Sequence, residues 1–550
     1  MTNGAVALLE TLRNAGVDTC FMNPGTSEMH FVSALDGSDM RAVLALFEGV
    51  ATGAADGYAR IAQKPAATLL HLGCGLGNGL ANLHNARKAR VPLVNIVGDH
   101  ATYHTQYDAQ LQSDIETVAR NVSTWVRTTA RSEDLARDAL EAVSVAIGPP
   151  AQVTTLILPA DVSWTEGARA LEPKARPEPA CADDARIDRI ARTLGSGDKT
   201  AILLGRRVLL ERGLVAASKI AERTGAKLFC EVFPTRLERG AGLPNVERLA
   251  YFAELASVQL AGFRHLVLID AKAPVSFFGY PGKKSYLVPE GCELHDLVRV
   301  DEDAVGSIER LVRAVGAERI RPRLQPPSRP QLPTGKLTGP KVCQALGALL
   351  PSDAIISDEA QTSGVKLGAF TQGCPRHDLL ALTGGAIGQA LPVAVGAAIA
   401  APERPVVALV GDGSAMYTLQ ALWSIVREGL DVTTIIMNNR AYSILNIELS
   451  RVGAEEPGPK AKAQLDLASP PLDFVKLAQG MGMRATRATT AEEFTLALRD
   501  AFTAPGPRLI DAIIPSEFDG LKLRALPTGL DMLQRLPSPL AKGIKKKLGL

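Results

Sequence analysis

At 550 residues, with 46% apolar side chains and a mean hydropathy of +0.08, the chain is long enough for about three domains and can bury large cores. Its 60 Lys and Arg nearly balance 58 Asp and Glu, and the net charge of +2 argues against a nucleic-acid footprint or an acidic tail. Seven scattered cysteines with no C-x-x-C pair fit neither a disulfide framework nor a zinc site, and the N-terminus reads as an amphipathic helix rather than a signal peptide. With no apolar run long enough to cross a bilayer, a cytoplasmic protein without an integral membrane segment is expected.

Pro-rich, charged stretches at Glu172–Asp184 and Arg321–Gly335 read as linkers. They give expected domains at 1–170, 185–318 and 336–515, followed by a basic tail, 516–550, that carries Lys545, Lys546 and Lys547. In each block short, nearly continuous apolar runs alternate with helical patterns. Examples are TCFMN (Thr19 to Asn23), VTTLILP (Val153 to Pro159), HLVLID (His265 to Asp270) and RLIDAII (Arg508 to Ile514). Strands of that kind are buried on both faces, so the pattern predicts three α/β domains with doubly wound parallel sheets.

In the first block a Pro-Gly turn after the first strand puts Thr26 and Ser27 at a strand end, with Glu28 in a helix N-cap setting. The apolar run AVLALF then leads into a helix rich in Ala and Gly that opens on Glu48. An acid there is either a helix N-terminal residue favoured by the dipole or a catalytic group, and the residues alone leave both open. His71 stands at a strand end before a Gly-rich turn, as a core histidine or a proton-transfer group, and Asn78 and Asn85 follow it. His100 and His104 are spaced i, i+4, which on a helix could ligate a metal, but no third ligand is evident. With Tyr107 and Gln110 they belong to a pocket wall or a surface loop.

The last block is the most informative. Strand PVVALV runs into Gly411-Asp412-Gly413, a helix opened by Ser414 follows, and strand TTIIM ends in Asn438 and Asn439. Polar groups at the carboxyl ends of neighbouring parallel strands sit where such sheets bind ligands. Asp412 and Asn439 are hard oxygen donors suited to Mg²⁺, and the glycines let backbone approach a diphosphate. Upstream, the Gly-rich turn Thr383–Gln389 leads into an apolar helix, with Pro392 tolerable in its first turn.

Gly411–Asn439 resembles the diphosphate-binding motif of thiamine diphosphate enzymes, and Phe47–Ala66, with its Gly57-Tyr58-Ala59-Arg60, resembles the helix that carries their cofactor-binding glutamate. The resemblance implies thiamine diphosphate and Mg²⁺ as cofactors. The metal would be held by Asp412, Asn439 and the carbonyl of Ala441, and the aminopyrimidine by Glu48. Ile387 falls where a bulky apolar residue supports the bent cofactor; Gly411, Gly413, Ser414, Glu359, Gln361, Thr362 and Tyr442 fall around it. Thr26 takes the place of the catalytic serine of benzoylformate decarboxylase and His71 that of a proton-transferring histidine, with Ser27, His100, His104 and Gln110 as pocket candidates.

Departures are visible. Phe47 replaces a histidine common before the glutamate, and a second benzoylformate decarboxylase histidine is missing near Gly279. The whole chain is similar to acetolactate synthase large subunits of a mycobacterial type, yet their hallmark tryptophan and phenylalanine are replaced near Glu448 and Gln110. A flavin is not expected, because the middle block lacks a convincing flavin signature, but stays open. The resemblance implies a decarboxylase or carboligase acting on a 2-oxo acid. The alternatives are acetolactate synthesis from pyruvate and a non-catalytic cofactor-binding relative. It also implies a homodimer or homotetramer with active sites at the interface.

Overall fold

The structure is a computed structural model and describes residues 2–176, 178–452 and 457–516, with residue 529. The basic tail expected from 516 lies, beyond Ser516 and apart from residue 529, outside the described residues.

Three predominantly parallel sheets organise the chain. The first contains β1 (Thr19–Asn23), β2 (Arg41–Leu44), β3 (Ala66–Leu70), β4 (Leu93–Asp99), β5 (Trp125–Thr128) and β6 (Val153–Pro159) in the order β2-β1-β3-β4-β6-β5, all parallel. The second contains β7 (Thr200–Leu204), β8 (Lys227–Cys230), β10 (Glu247–Arg248), β11 (His265–Ile269) and β12 (Glu293–Asp296) in the order β10-β8-β7-β11-β12. The strand between them, β9 (Leu237–Arg239), leaves its own block and pairs antiparallel on the edge of the third sheet. That sheet adds β13 (Ala354–Glu359), β14 (His377–Ala381), β15 (Val406–Gly411), β16 (Val432–Asn438), β17 (Arg484–Ala488) and β18 (Arg508–Ile513) in the order β9-β14-β13-β15-β16-β18-β17.

Most central strands are buried along their whole length, as their apolar sequences demand. In each sheet successive crossovers leave in opposite directions from a central pair, and the crevice at the carboxyl ends of that pair is where open α/β sheets bind ligands. The pairs are β1/β3, β7/β11 and β13/β15.

The first and third sheets meet through two helices, α1 (Glu48–Ala62) and α3 (Ala390–Ala400); α2 (Leu72–Ala89) lies beside α1. The α1–α3 crossing is built on small residues. A Cβ at Gly57 would come within 2.1 Å of the Val393 carbonyl oxygen, and one at Gly396 within 1.8 Å of the Ala54 carbonyl oxygen. No side chain fits there without separating the helices. Beside the crossing, the fully buried Arg60 guanidinium pairs bidentately with Asp56 at 2.8 and 2.7 Å and donates to the carbonyl oxygens of Ala381 and Thr235. Gln389 donates to the same Asp56 carboxylate, so one buried ion pair ties all three blocks together.

Candidate active site

At the first sheet's switch point, the turn after β1 faces the end of β3. Glu28 is completely buried there; one carboxylate oxygen accepts from the Gly25 amide at 2.7 Å and the other from the Ser27 hydroxyl at 2.8 Å. His71, the N-cap of α2, turns its Nδ1 to Glu28 Oε2 at 2.8 Å. An ionised carboxylate only accepts, so Nδ1 carries a proton towards it, and in the neutral tautomer this leaves the lone pair on Nε2. The ring lies on Gly25, where a Cβ would fall 2.2 Å from Nδ1. A Cβ at Gly98 would meet Glu28 at 1.7 Å, so two glycines make the room for this acid and its histidine.

Glu48 opens α1 in the position the dipole favours and is 8% exposed. Its Oε2 accepts from Asn78 Nδ2 at 3.0 Å. Its Oε1 and the His71 Cβ both flank Gly75, at 2.8 and 3.4 Å from where a Cβ would stand. Glu48 and His71 therefore share one wall. Thr26 is exposed, and the hydroxyl that joins the His71–Glu28 pair belongs to Ser27, 3.5 Å from Nδ1.

At the third sheet's carboxyl edge, Asp412 is 3% exposed. Its Oδ1 accepts from the Gly413 amide at 2.9 Å and its Oδ2 from the Arg440 amide at 2.6 Å. Burial pushes its carboxyl up to about 6, against those backbone hydrogen bonds, and Asp511 adds like charge. A buried carboxylate held only by amides is the environment that a cation completes. Asn439 is anchored by donating to Ser363 and Ser443, while its Oδ1 lies 3.0 Å from the Ala441 amide. Arg440, between them, adopts a left-handed φ of 58°, a strained turn of the kind that functional sites retain. Asn438, by contrast, donates to Asp511 and is structural. Asp412, Asn439 and Ala441 thus offer oxygens only, a donor set that fits Mg²⁺.

The helix expected to open at Ser414 is a single turn instead, Asp412–Ala415, with Gly411 as N-cap. The chain then leaves helical geometry, Thr418 donates to the Gly388 carbonyl at 2.9 Å, and a separate helix runs from Ala421 to Arg427. So short a turn supplies little dipole; close backbone approach at Gly411 and Gly413 remains. Tyr442 covers Gly413, whose Cβ would fall 2.3 Å from its ring.

Ile387 lies half-buried in a loop pinned from both sides. Asn85 bonds both the Ala386 amide and carbonyl, Asn82 links Gly388 to the Gly49 carbonyl, and Glu359 accepts from the Gly388 and Ala390 amides at 2.6 and 2.7 Å. Burial raises Glu359 to about 7. Phe277 packs on Gly385 of the same loop, so the segment around Gly279 does reach this region. There Tyr280 donates to Glu448, which lies in the helix Ser443–Arg451.

Gln361 and Thr362 line a cavity of about 910 Å³ between the second and third sheets, together with Arg239, Arg248, Tyr251 and Asp358. The loop 100–114 contains only a 3-10 turn, Thr105–Tyr107, so His100 and His104 lie in a loop and the helical metal-ligating arrangement does not arise. His100 Nε2 lies 3.0 Å from the Gln110 carbonyl oxygen, and Gln110 itself is exposed. The exposed rims of that loop leave Ile115 and Ser113 packed over Gly73, near His71.

Sequence comparison agrees with this architecture. Residues 2–119 match the thiamine pyrophosphate enzyme N-terminal TPP binding domain and residues 364–512 the C-terminal TPP binding domain. The chain is 58% identical over 516 residues to a Mycobacterium tuberculosis protein provisionally named acetolactate synthase large subunit IlvX, covering 94% of this chain and 99% of that one. It is 30% identical over 540 residues to benzoylformate decarboxylase of Pseudomonas aeruginosa, covering 92% and 97%. Among solved structures, a thiamine diphosphate-dependent 4-hydroxybenzoylformate decarboxylase of Rhodococcus jostii superposes with a TM-score of 0.82 at 26% identity, over 94% of this chain and all of that one. The chain belongs to the thiamine diphosphate-dependent enzymes. Within them it is an enzyme of the acetolactate synthase and benzoylformate decarboxylase type.

Proposed function

We propose that this protein is a Mg²⁺-dependent decarboxylase or carboligase of a 2-oxo acid, of the benzoylformate decarboxylase kind. One observation carries the reading: half-buried His71, held by fully buried Glu28, stands on the same wall as Glu48. That supplies a proton-handling group beside the cofactor-activating acid, and proton handling is what separates release of an aldehyde from transfer to a second carbonyl.

When bound, thiamine diphosphate supplies the carbanion and electron-sink chemistry. Asp412, Asn439 and the Ala441 carbonyl would hold Mg²⁺, with Gly411, Gly413 and Ser414 close to the diphosphate. Glu48 would hold a proton at its carboxylate for the aminopyrimidine, oriented by Asn78. Ile387 would hold the two rings bent, its loop fixed by Asn82, Asn85 and Glu359. His71 Nε2, with Nδ1 engaged by Glu28, would move a proton at the reacting carbon; Ser27 and Thr26 lie next to it. We further propose a cytoplasmic homodimer or homotetramer. Exposed Tyr103, Tyr107, Leu111, Met416, Tyr417 and Leu445 support it, since large apolar groups at loop rims favour a covering partner.

The second reading is acetolactate synthesis from pyruvate, supported by the 58% identity to the mycobacterial protein. A panel of 2-oxo acids separates the two: CO₂ and aldehyde from benzoylformate or a related acid are expected. Acetolactate from pyruvate as the main product would favour the second, and no CO₂ from any member would defeat both.

A further inference from the structure

The second sheet carries a cluster remote from the sites above. Glu293 and His295 are two residues apart on β12 and so share a face, and His265 opens β11 in register with Glu293. The His265 Nδ1 and His295 Nε2 atoms are 3.1 Å apart, and Glu293 Oε2 lies 3.5 Å from the first and 3.8 Å from the second. The point equidistant from these three atoms lies about 2.0 Å from each, the length of a Zn–N or Zn–O bond. We propose that His265, Glu293 and His295 form a binding site for a divalent transition-metal ion of the zinc class, with a fourth position open to water.

A second observation supports the assignment. The other nitrogen of His265, Nε2, faces Asp198 Oδ2 at 3.5 Å. A carboxylate behind a ligating imidazole fixes the tautomer and raises ligand basicity, the arrangement usual for metal-bound histidine. Both imidazoles are largely buried, with side chains 14% and 13% exposed, whereas Glu293 at 71% is open to solvent and gives the ion its entry. Burial and the neighbouring His265 also hold His295 below the ordinary histidine range, which keeps it in the neutral, ligating form. The site lies at the amino ends of β11 and β12, opposite the carboxyl edges where the sheets bind other ligands. A bound ion would join these two strands to the Asp198 turn that enters β7.

The test uses untagged full-length protein saturated with thiamine diphosphate and Mg²⁺, dialysed against Zn²⁺ and, in parallel, Co²⁺. One zinc per chain is expected, with a visible Co²⁺ spectrum of low coordination number and a zinc-dependent rise in melting temperature. His295→Ala should lose that equivalent and the rise. Asp198→Asn should weaken binding about tenfold. Glu293→Gln, at an exposed position, serves if the histidine variant fails to fold and should also lose the equivalent. No zinc bound by the natural protein, or full stoichiometry in His295→Ala and Glu293→Gln, would overturn the proposal.

Discussion

The carboxyl edges of the first and third sheets solve opposite problems. At the first, each acid already has side-chain partners: Glu28 holds Ser27 and His71, and Glu48 holds Asn78. At the third, Asp412 and Glu359 are as deeply buried but receive only backbone amides, and burial drives both upward. An edge complete in itself can keep protons where chemistry needs them. An edge whose buried carboxylates meet only backbone amides has the donor chemistry that suits a cation.

The comparison can be broken most strongly at Glu48. Glu48→Gln keeps the Asn78 contact geometry but removes the acid, and a loss of turnover of about 10³-fold is expected with the melting temperature unchanged. A melt that collapses with activity would instead make Glu48 structural. At the other edge, Asp412→Ala should lower activity at least about 10²-fold and abolish the Mg²⁺-dependent thermal shift. Chelation of the unsubstituted enzyme should reproduce the loss; activity that survives chelation would show that the third edge needs no cation.

The junction that holds the two edges together should show in stability. Gly396→Ala forces a methyl onto the Ala54 carbonyl and should cost about 2–3 kcal/mol, measured by denaturant unfolding.

A second stability effect, of similar size, distinguishes the edges by pH. Glu359 is raised from 4.5 to about 7 by burial. Between those values the folded state holds a proton that the unfolded state has released, so stability of the cofactor-free protein should fall as pH rises from 4.5 to 7, then level off. The slope from this one group is at most about 1.4 kcal/mol per pH unit. Asp412, raised to about 6, adds to the slope below that pH, so Glu359→Gln should flatten it between about 6 and 7; an unchanged slope there would assign it elsewhere. Ser27→Ala is expected to have the smallest effect, less than about tenfold in turnover, because Glu28 keeps its grip on His71.

Much of this was legible beforehand because strands buried on both faces read as unbroken apolar runs. Thr19–Asn23 and Val153–Pro159 were bounded to the residue for that reason. His377–Ala381 was not, since HDLLA opens with charge that only Arg236 and Arg404 neutralise in three dimensions. At the site, Asp412 and Asn439 were readable because neighbouring strands of one βαβ unit bring them together. Glu28 was passed over as a helix-start acid. Its partner His71 is 43 residues away, and only the β1–β3 register joins them. His100 and His104 were left between a pocket wall and a surface loop, because their i, i+4 spacing carries information only where the backbone is helical, and here it is a loop.

The interlocked glycines of α1 and α3 have one more consequence. With each helix backbone seated against the other at Gly57 and Gly396, the two helices have no clearance to slide or pivot. The first and third sheets must then travel as one rigid frame. Any opening of the site would then fall to segments outside that frame, such as the 100–114 loop and the Phe277 segment.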